Sequence, residues 1–130
     1  MRVLIIEQEK TLQNSLCYFM QHDRNFEVAL AHSQKEGLSL WQSGPFDIVL
    51  CAERLPDGNG LQMLKTLIEQ KPGIIPILMT ARQDELLKQE AIKFGVQGYL
   101  EKPFDLKQLE EAMGVAHNLG QIKKEKEKAR

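Results

Sequence analysis

Five short apolar runs, at residues 3–6, 26–31, 48–51, 74–79 and 96–100, punctuate the chain and alternate with longer, more polar stretches. Several of these runs are continuously apolar, the pattern of parallel strands covered on both faces. Between them, apolar residues recur at helical spacing: Leu12, Leu16, Phe19 and Met20; Leu38 with Trp41; Leu61, Leu64, Leu67 and Ile68; Leu86, Leu87, Ala91 and Ile92. A strand–helix unit repeated five times predicts a (βα)5 domain of the α/β class, a doubly wound parallel five-stranded sheet with right-handed crossovers.

The breakers agree with that reading. Pro72-Gly73 closes the third helix before the fourth strand, and Gly95 follows the fourth helix as a C′ residue. Asp105 with Gln108 forms a capping box for a last helix carrying Leu106, Leu109, Met113 and Ala116. Gly120 either ends that helix or is passed over, the helix then running on through residues 121–130. The chain therefore divides into residues 1–119, one globular unit, and residues 120–130, a charged helical extension or linker.

Composition narrows the function classes. A chain of 130 residues with 42% apolar and 27% charged residues has enough length for a single core. The net charge of −1 points to neither nucleic acid nor an anionic surface. Residues 121–130 are locally +3, leaving −4 for the remainder, which reads as a solvated helix end or as a signalling helix leading to an output domain. Cys17 and Cys51 lie on apolar faces and read as buried free thiols. The first apolar run is cut short by Glu7, too brief for a signal-peptide core or a membrane span, so a cytoplasmic location is expected. His22, His32 and His117 are scattered without metal or triad spacing, and Trp41 reads as helix packing. No G-x-G-x-x-G or P-loop pattern occurs.

In open α/β sheets, ligands bind beyond the carboxyl ends of the strands. Those positions hold Glu7, Gln8 and Glu9 after strand one, Ala52 and Glu53 after strand three, Thr80 and Ala81 after strand four, and Lys102 and Pro103 after strand five. The run from Asp47 through Ala52, Pro56 and Asn59 to Gly60 resembles the D-hhhh-D-x-x-(L/M)-P-x-x-(D/N)-G signature of bacterial response-regulator receiver domains. Thr80-Ala81 and Gly98-Tyr99-Leu100-Glu101-Lys102-Pro103-Phe104 resemble two further receiver motifs, and the likeness covers residues 1–119. It implies a flavodoxin-like strand order of 2-1-3-4-5. It also implies that Thr80 is the phosphoryl-sensing hydroxyl, Lys102 the phosphate-pairing lysine and Tyr99 the switch aromatic, with Asp47 a structural residue.

Two positions depart from the family pattern. The second Asp of the signature, which accepts the phosphoryl group, is Ala52 here, and the acidic pair after strand one reads Glu7-Gln8. The coincidence of both changes favours natural loss over a single engineered one. With Glu7 and Lys102 alone the pocket charge is about zero, unsuited to magnesium, which usually wants carboxylates and phosphate oxygens. No metal and no cofactor are expected. Strand alternation directs Glu53 away from the Ala52 pocket, Asp57 reads as turn chemistry, and Glu9 opens the first helix. Lys102, lacking its usual carboxylate, is expected to reach Glu7.

The resemblance then implies a pseudo-receiver: not an enzyme, and a phosphorylation-independent interaction or dimerisation module in signal transduction. Its partner, a second protein or a second copy, would meet the face of helix four, strand five and helix five. That face would include Lys88, Glu90, Lys93, Glu101, Lys107, Glu110 and Glu111. The domain itself binds neither nucleic acid nor membrane, and an output domain, as in transcriptional regulators of the family, would lie beyond residue 130. The alternative is a receiver still regulated by a noncovalent anion or a non-standard phosphoacceptor.

Overall fold

The computed structural model describes residues 1–22 and 26–128. In chain order the elements are β1 (Arg2–Ile6), α1 (Lys10–Gln21), β2 (Glu27–Ala31), α2 (Gln34–Gln42) and β3 (Ile48–Ala52). A two-residue ribbon follows, β4 (Arg54–Leu55) with β5 (Gly58–Asn59), and then α3 (Gly60–Gln70), β6 (Ile75–Thr80), α4 (Glu85–Lys93), β7 (Gly98–Glu101) and α5 (Leu106–Lys128). The main sheet is parallel, in the order β2-β1-β3-β6-β7. Counting only its five strands, this is the expected 2-1-3-4-5.

Burial follows position in the sheet. β3 and β6 are central and buried along their whole length, which is why they contain unbroken apolar runs. The edge strands β2 and β7 are only partly covered. Trp41 of α2 stacks on Phe46 and donates its indole N–H to Gln70 of α3 at 2.9 Å, the packing role expected of it. Cys51 is buried and Cys17 only half-buried, both as free thiols, and burial pushes both thiol pKa values up.

Several boundaries moved for identifiable reasons. Val96 is not in a strand: its N–H donates to Ala91 O at 3.0 Å while Gly95 N–H donates to Ile92 O, a Schellman closure of α4 that needs the φ of +104° at Gly95. The capping box holds, with Asp105 N to Gln108 Oε1 at 2.9 Å and Gln108 N to Asp105 Oδ1 at 2.8 Å. Gly120 does not stop α5. It is buried against Met1, and the helix continues to Lys128. Residues 129–130 of the expected continuation lie outside the described residues.

The amino-terminal rim of the sheet is clamped by Asp47. Its side chain accepts from Arg2 N at 2.8 Å, and its carbonyl accepts from Ile75 N at 2.9 Å. This places Asp47 at the opposite end of β3 from Ala52, in a structural role.

Candidate functional site

The register of the parallel strands brings Ile6, Ala52, Thr80 and Glu101 to one rim. Just past β1, the Glu7 side chain is 1% exposed. Its Oε1 accepts from Lys102 Nζ at 2.5 Å and its Oε2 from Glu9 N at 2.9 Å. The expected Glu7–Lys102 contact is present, and both carboxylate oxygens are occupied. Lys102 is itself held by its backbone N–H, which donates to Thr80 O at 2.7 Å. Gln8 lies exposed on the lip of the same cleft.

Ala52 closes β3 with its methyl buried. The chain then turns under close contact: Gly60 N donates to Glu53 O at 2.7 Å, and a Cβ at Gly60 would lie 1.8 Å from Ala52 O. Only a glycine admits that approach.

Glu53 does not point away from the pocket. It is 4% exposed, its Oε1 accepts from Thr80 Oγ1 at 2.6 Å, and its Oε2 accepts from Arg82 Nη1 at 2.7 Å. Strand alternation holds only while the strand lasts, and β3 ends at Ala52. With Ala52 paired to Met79, the next residue of each chain segment is Glu53 and Thr80. Arg82 also reaches Asp84 Oδ2 at 2.6 Å, while Asp84 Oδ1 caps α4 by accepting from Leu86 N at 3.0 Å and Leu87 N at 3.2 Å. Asp84 and then Glu53 hold the Arg82 guanidinium pKa above its usual value. The Leu87 amide, followed by Arg82, holds the Asp84 carboxyl below the usual range.

Asp57 is also more than a solvated turn residue. From the loop after β4 its carboxylate accepts from Gln34 N at 2.7 Å and Lys35 N at 2.9 Å, supplementing the Ser33 cap of α2. The Lys35 and Gln34 amides lower its pKa. Glu9 stands at the N-cap of α1, and its carbonyl accepts from Gln13 N at 2.9 Å. Tyr99, the expected switch aromatic, is half-buried, and its hydroxyl is fully covered with no hydrogen-bond partner among the described residues. Burial and then the Glu101 and Glu53 charges raise its pKa. Together, Glu7, Gln8, Glu53, Thr80, Arg82 and Lys102 line a cleft of about 370 Å³.

A family model for the response regulator receiver domain matches residues 3–114. The chain belongs to this family. The receiver is 30% identical over 108 residues to the response regulator ArlR of Staphylococcus saprophyticus, covering 83% of this chain and 48% of that protein. It is 33% identical over 108 residues to the transcriptional regulatory protein CiaR of Streptococcus pneumoniae, covering 83% and 47%. It thus spans about half the length of these curated relatives. Among solved structures, a response regulator receiver domain protein from Clostridium thermocellum superposes with a TM-score of 0.84 at 26% identity, covering 93% of this chain and 97% of that one.

Receivers as a family imply a magnesium ion at this rim, and the donor set here does not fit one. Magnesium takes oxygen ligands in near-octahedral geometry and dehydrates reluctantly. Glu7 and Glu53 have all four carboxylate oxygens committed within the protein, Gln8 offers a neutral amide, and Ala52 offers no side-chain oxygen. The residues expected on the interaction face have differing surroundings. Glu90 turns to α3, where it accepts from Lys65 at 2.9 Å, and Glu110 lines a groove beside α1. Lys88, in contrast, lies over the Tyr99 ring at 5.8 Å. No helix among the described residues is long and apolar enough to cross a membrane.

Proposed function

We propose that this receiver is a pseudo-receiver, an interaction module of two-component signalling whose working surface is set without phosphorylation. The observation that carries the reading is the double loss at the rim: Ala52 stands at the acceptor position, and the remaining carboxylates are consumed by Lys102, Arg82 and Thr80. Phosphoryl transfer depends almost entirely on positioning and charge stabilisation, so a rim with no unengaged buried carboxylate and a donor set that does not fit magnesium has little with which to catalyse it. The protein is in this reading cytoplasmic and not an enzyme. It meets a protein partner or a second copy through the face of α4, β7 and α5, with no nucleic acid or membrane bound by the domain itself. That the match covers about half of ArlR and CiaR supports an accompanying output domain, which this reading puts beyond residue 130.

One observation favours a second reading: Glu53 is a carboxylate inside the cleft. An acyl phosphate on Glu53 would displace Thr80 or Arg82 from the oxygen it forms on and remove the charge both are held by, which weighs against it. Intact-mass measurement after incubation with magnesium and a small acyl phosphate donor separates the two, with sedimentation on the same samples. An unmodified chain whose association state ignores the donor supports the pseudo-receiver. A phosphoryl adduct abolished by Glu53→Gln would establish the second reading instead.

A further inference from the structure

We infer that Glu53 is a built-in anion that positions the start of α4, and with it the α4–β7 face, without any arriving ligand or covalent group. Glu53 lies just past β3, Thr80 ends β6, and Arg82 and Asp84 lead directly into α4. One carboxylate therefore ties three elements together. Its two oxygens receive the Thr80 hydroxyl at 2.6 Å and the Arg82 guanidinium at 2.7 Å. The same Thr80 oxygen accepts from Arg82 N at 3.0 Å, fixing the loop backbone between strand and helix. The second arm of Arg82 grips Asp84 at 2.6 Å, and Asp84 caps α4 through Leu86 N and Leu87 N.

The chemistry of the link favours specification over bulk stability. A buried ion pair returns little net stability relative to apolar packing, and its best-attested use is to hold one arrangement against others. At the Glu53 site every acceptor is satisfied, so the loop has one low-energy arrangement rather than several. The Arg82 side chain is 51% exposed, so without Glu53 it can return to solvent, and the link can be cut without burying a lone charge. The functional meaning of the device rests on the phosphorylation-independent reading; its geometry does not.

Amide hydrogen exchange, followed residue by residue on the full chain, tests it. In Glu53→Ala the amides of Arg82, Leu86 and Leu87 are expected to exchange about tenfold faster, as for loss of one charge-assisted hydrogen-bond link. Gln34 and Lys35, capped instead by Asp57, should be unchanged. Asp57→Asn should give the reverse pattern. Glu53→Gln, which keeps an acceptor for Thr80 but not the charge, should fall between wild type and Glu53→Ala. The ionisation midpoint of Tyr99, resolved from Tyr18, should also fall in Glu53→Ala. Unchanged exchange at Arg82, Leu86 and Leu87, or one uniform acceleration across all helices, would overturn the inference. A phosphoryl adduct in the donor experiment bears on the proposed function alone, so the two failures are distinguishable.

Discussion

At the amino-terminal rim of the sheet, Asp47 accepts from the Arg2 amide at 2.8 Å, and Lys124 approaches it to 3.7 Å from α5 with its side chain 45% exposed. At the carboxyl-terminal rim, Glu7 and Glu53 are almost wholly buried, and each is matched to a cation at 2.5–2.7 Å. The first arrangement ties a carboxylate to a backbone amide and leaves its cation largely to water, where ion pairs are worth about 0–1 kcal/mol. The second commits desolvated charges to fixed partners, at a cost that is repaid only if the geometry holds. A fold can close either rim cheaply with the first arrangement. Among the described residues, the second arrangement is found at the carboxyl-terminal rim, where the strand ends hold the candidate site.

Four sets of measurements probe that contrast. Lys102→Met should have the largest effect, about 3 kcal/mol of lost stability, because it leaves the Glu7 charge buried without its cation. Denaturant unfolding should show most of that loss recovered on adding Glu7→Gln, whereas Lys124→Ala at the other rim should stay within about 0.5 kcal/mol. A Lys102→Met cost no larger than the Lys124→Ala cost would erase the distinction between the rims.

Next come two glycines. Gly60→Ala drives a Cβ to within 1.8 Å of the Ala52 carbonyl, and Gly120→Ala to within 1.9 Å of the Met1 Cε. Backbone cannot yield as a flexible side chain end can, so Gly60→Ala should cost about 2–3 kcal/mol. Gly120→Ala should cost less than about 1 kcal/mol, because alanine suits a helix interior better than glycine. Comparable melting-temperature losses for the two would show that the rims do not differ in tightness.

Smaller still is Tyr99→Phe. Removing a covered hydroxyl without a partner should leave stability unchanged or raise it by up to about 1 kcal/mol. A clear loss in thermal unfolding would mean that the hydroxyl is satisfied in solution.

The finest probe is pH at Asp57. Its folded pKa is depressed by the Lys35 and Gln34 amides. Its contribution is therefore complete above the ordinary carboxylate range and is lost as pH falls through the lower folded value. A carboxyl titration by NMR should place its midpoint below that of an unstructured Asp, with the Gln34 and Lys35 amide signals moving together. A midpoint at the ordinary value would remove Asp57 as a cap of α2.

Sequence pattern carried the sheet, its order and most of the rim. β3 and β6 announced themselves because full burial leaves only Thr80, at the end of β6, polar within them. Lys102 could be matched to Glu7 because both follow strands that end at one edge and carry opposite charge. Glu53 was misplaced because alternation was extended one residue beyond the strand. The available signal was Arg82, a cation two residues after the strand neighbouring β3. The β4–β5 ribbon was illegible, since two-residue strands carry no periodicity. Asp57 looked like loop chemistry because its partners, the first amides of α2, are distant in sequence and belong to the backbone.

The length of α5 has a mechanical consequence. Its 23 residues correspond to about 35 Å of unbroken helix. It begins a few residues after Lys102, at the charged cleft, and further along meets Met1 through Gly120 and the carbonyl of Gly73 through Lys123. The helix thus runs from just past Lys102 to the Met1 end of the sheet. As a rigid rod it would carry a displacement of its first turn to that end, as rotation as well as translation.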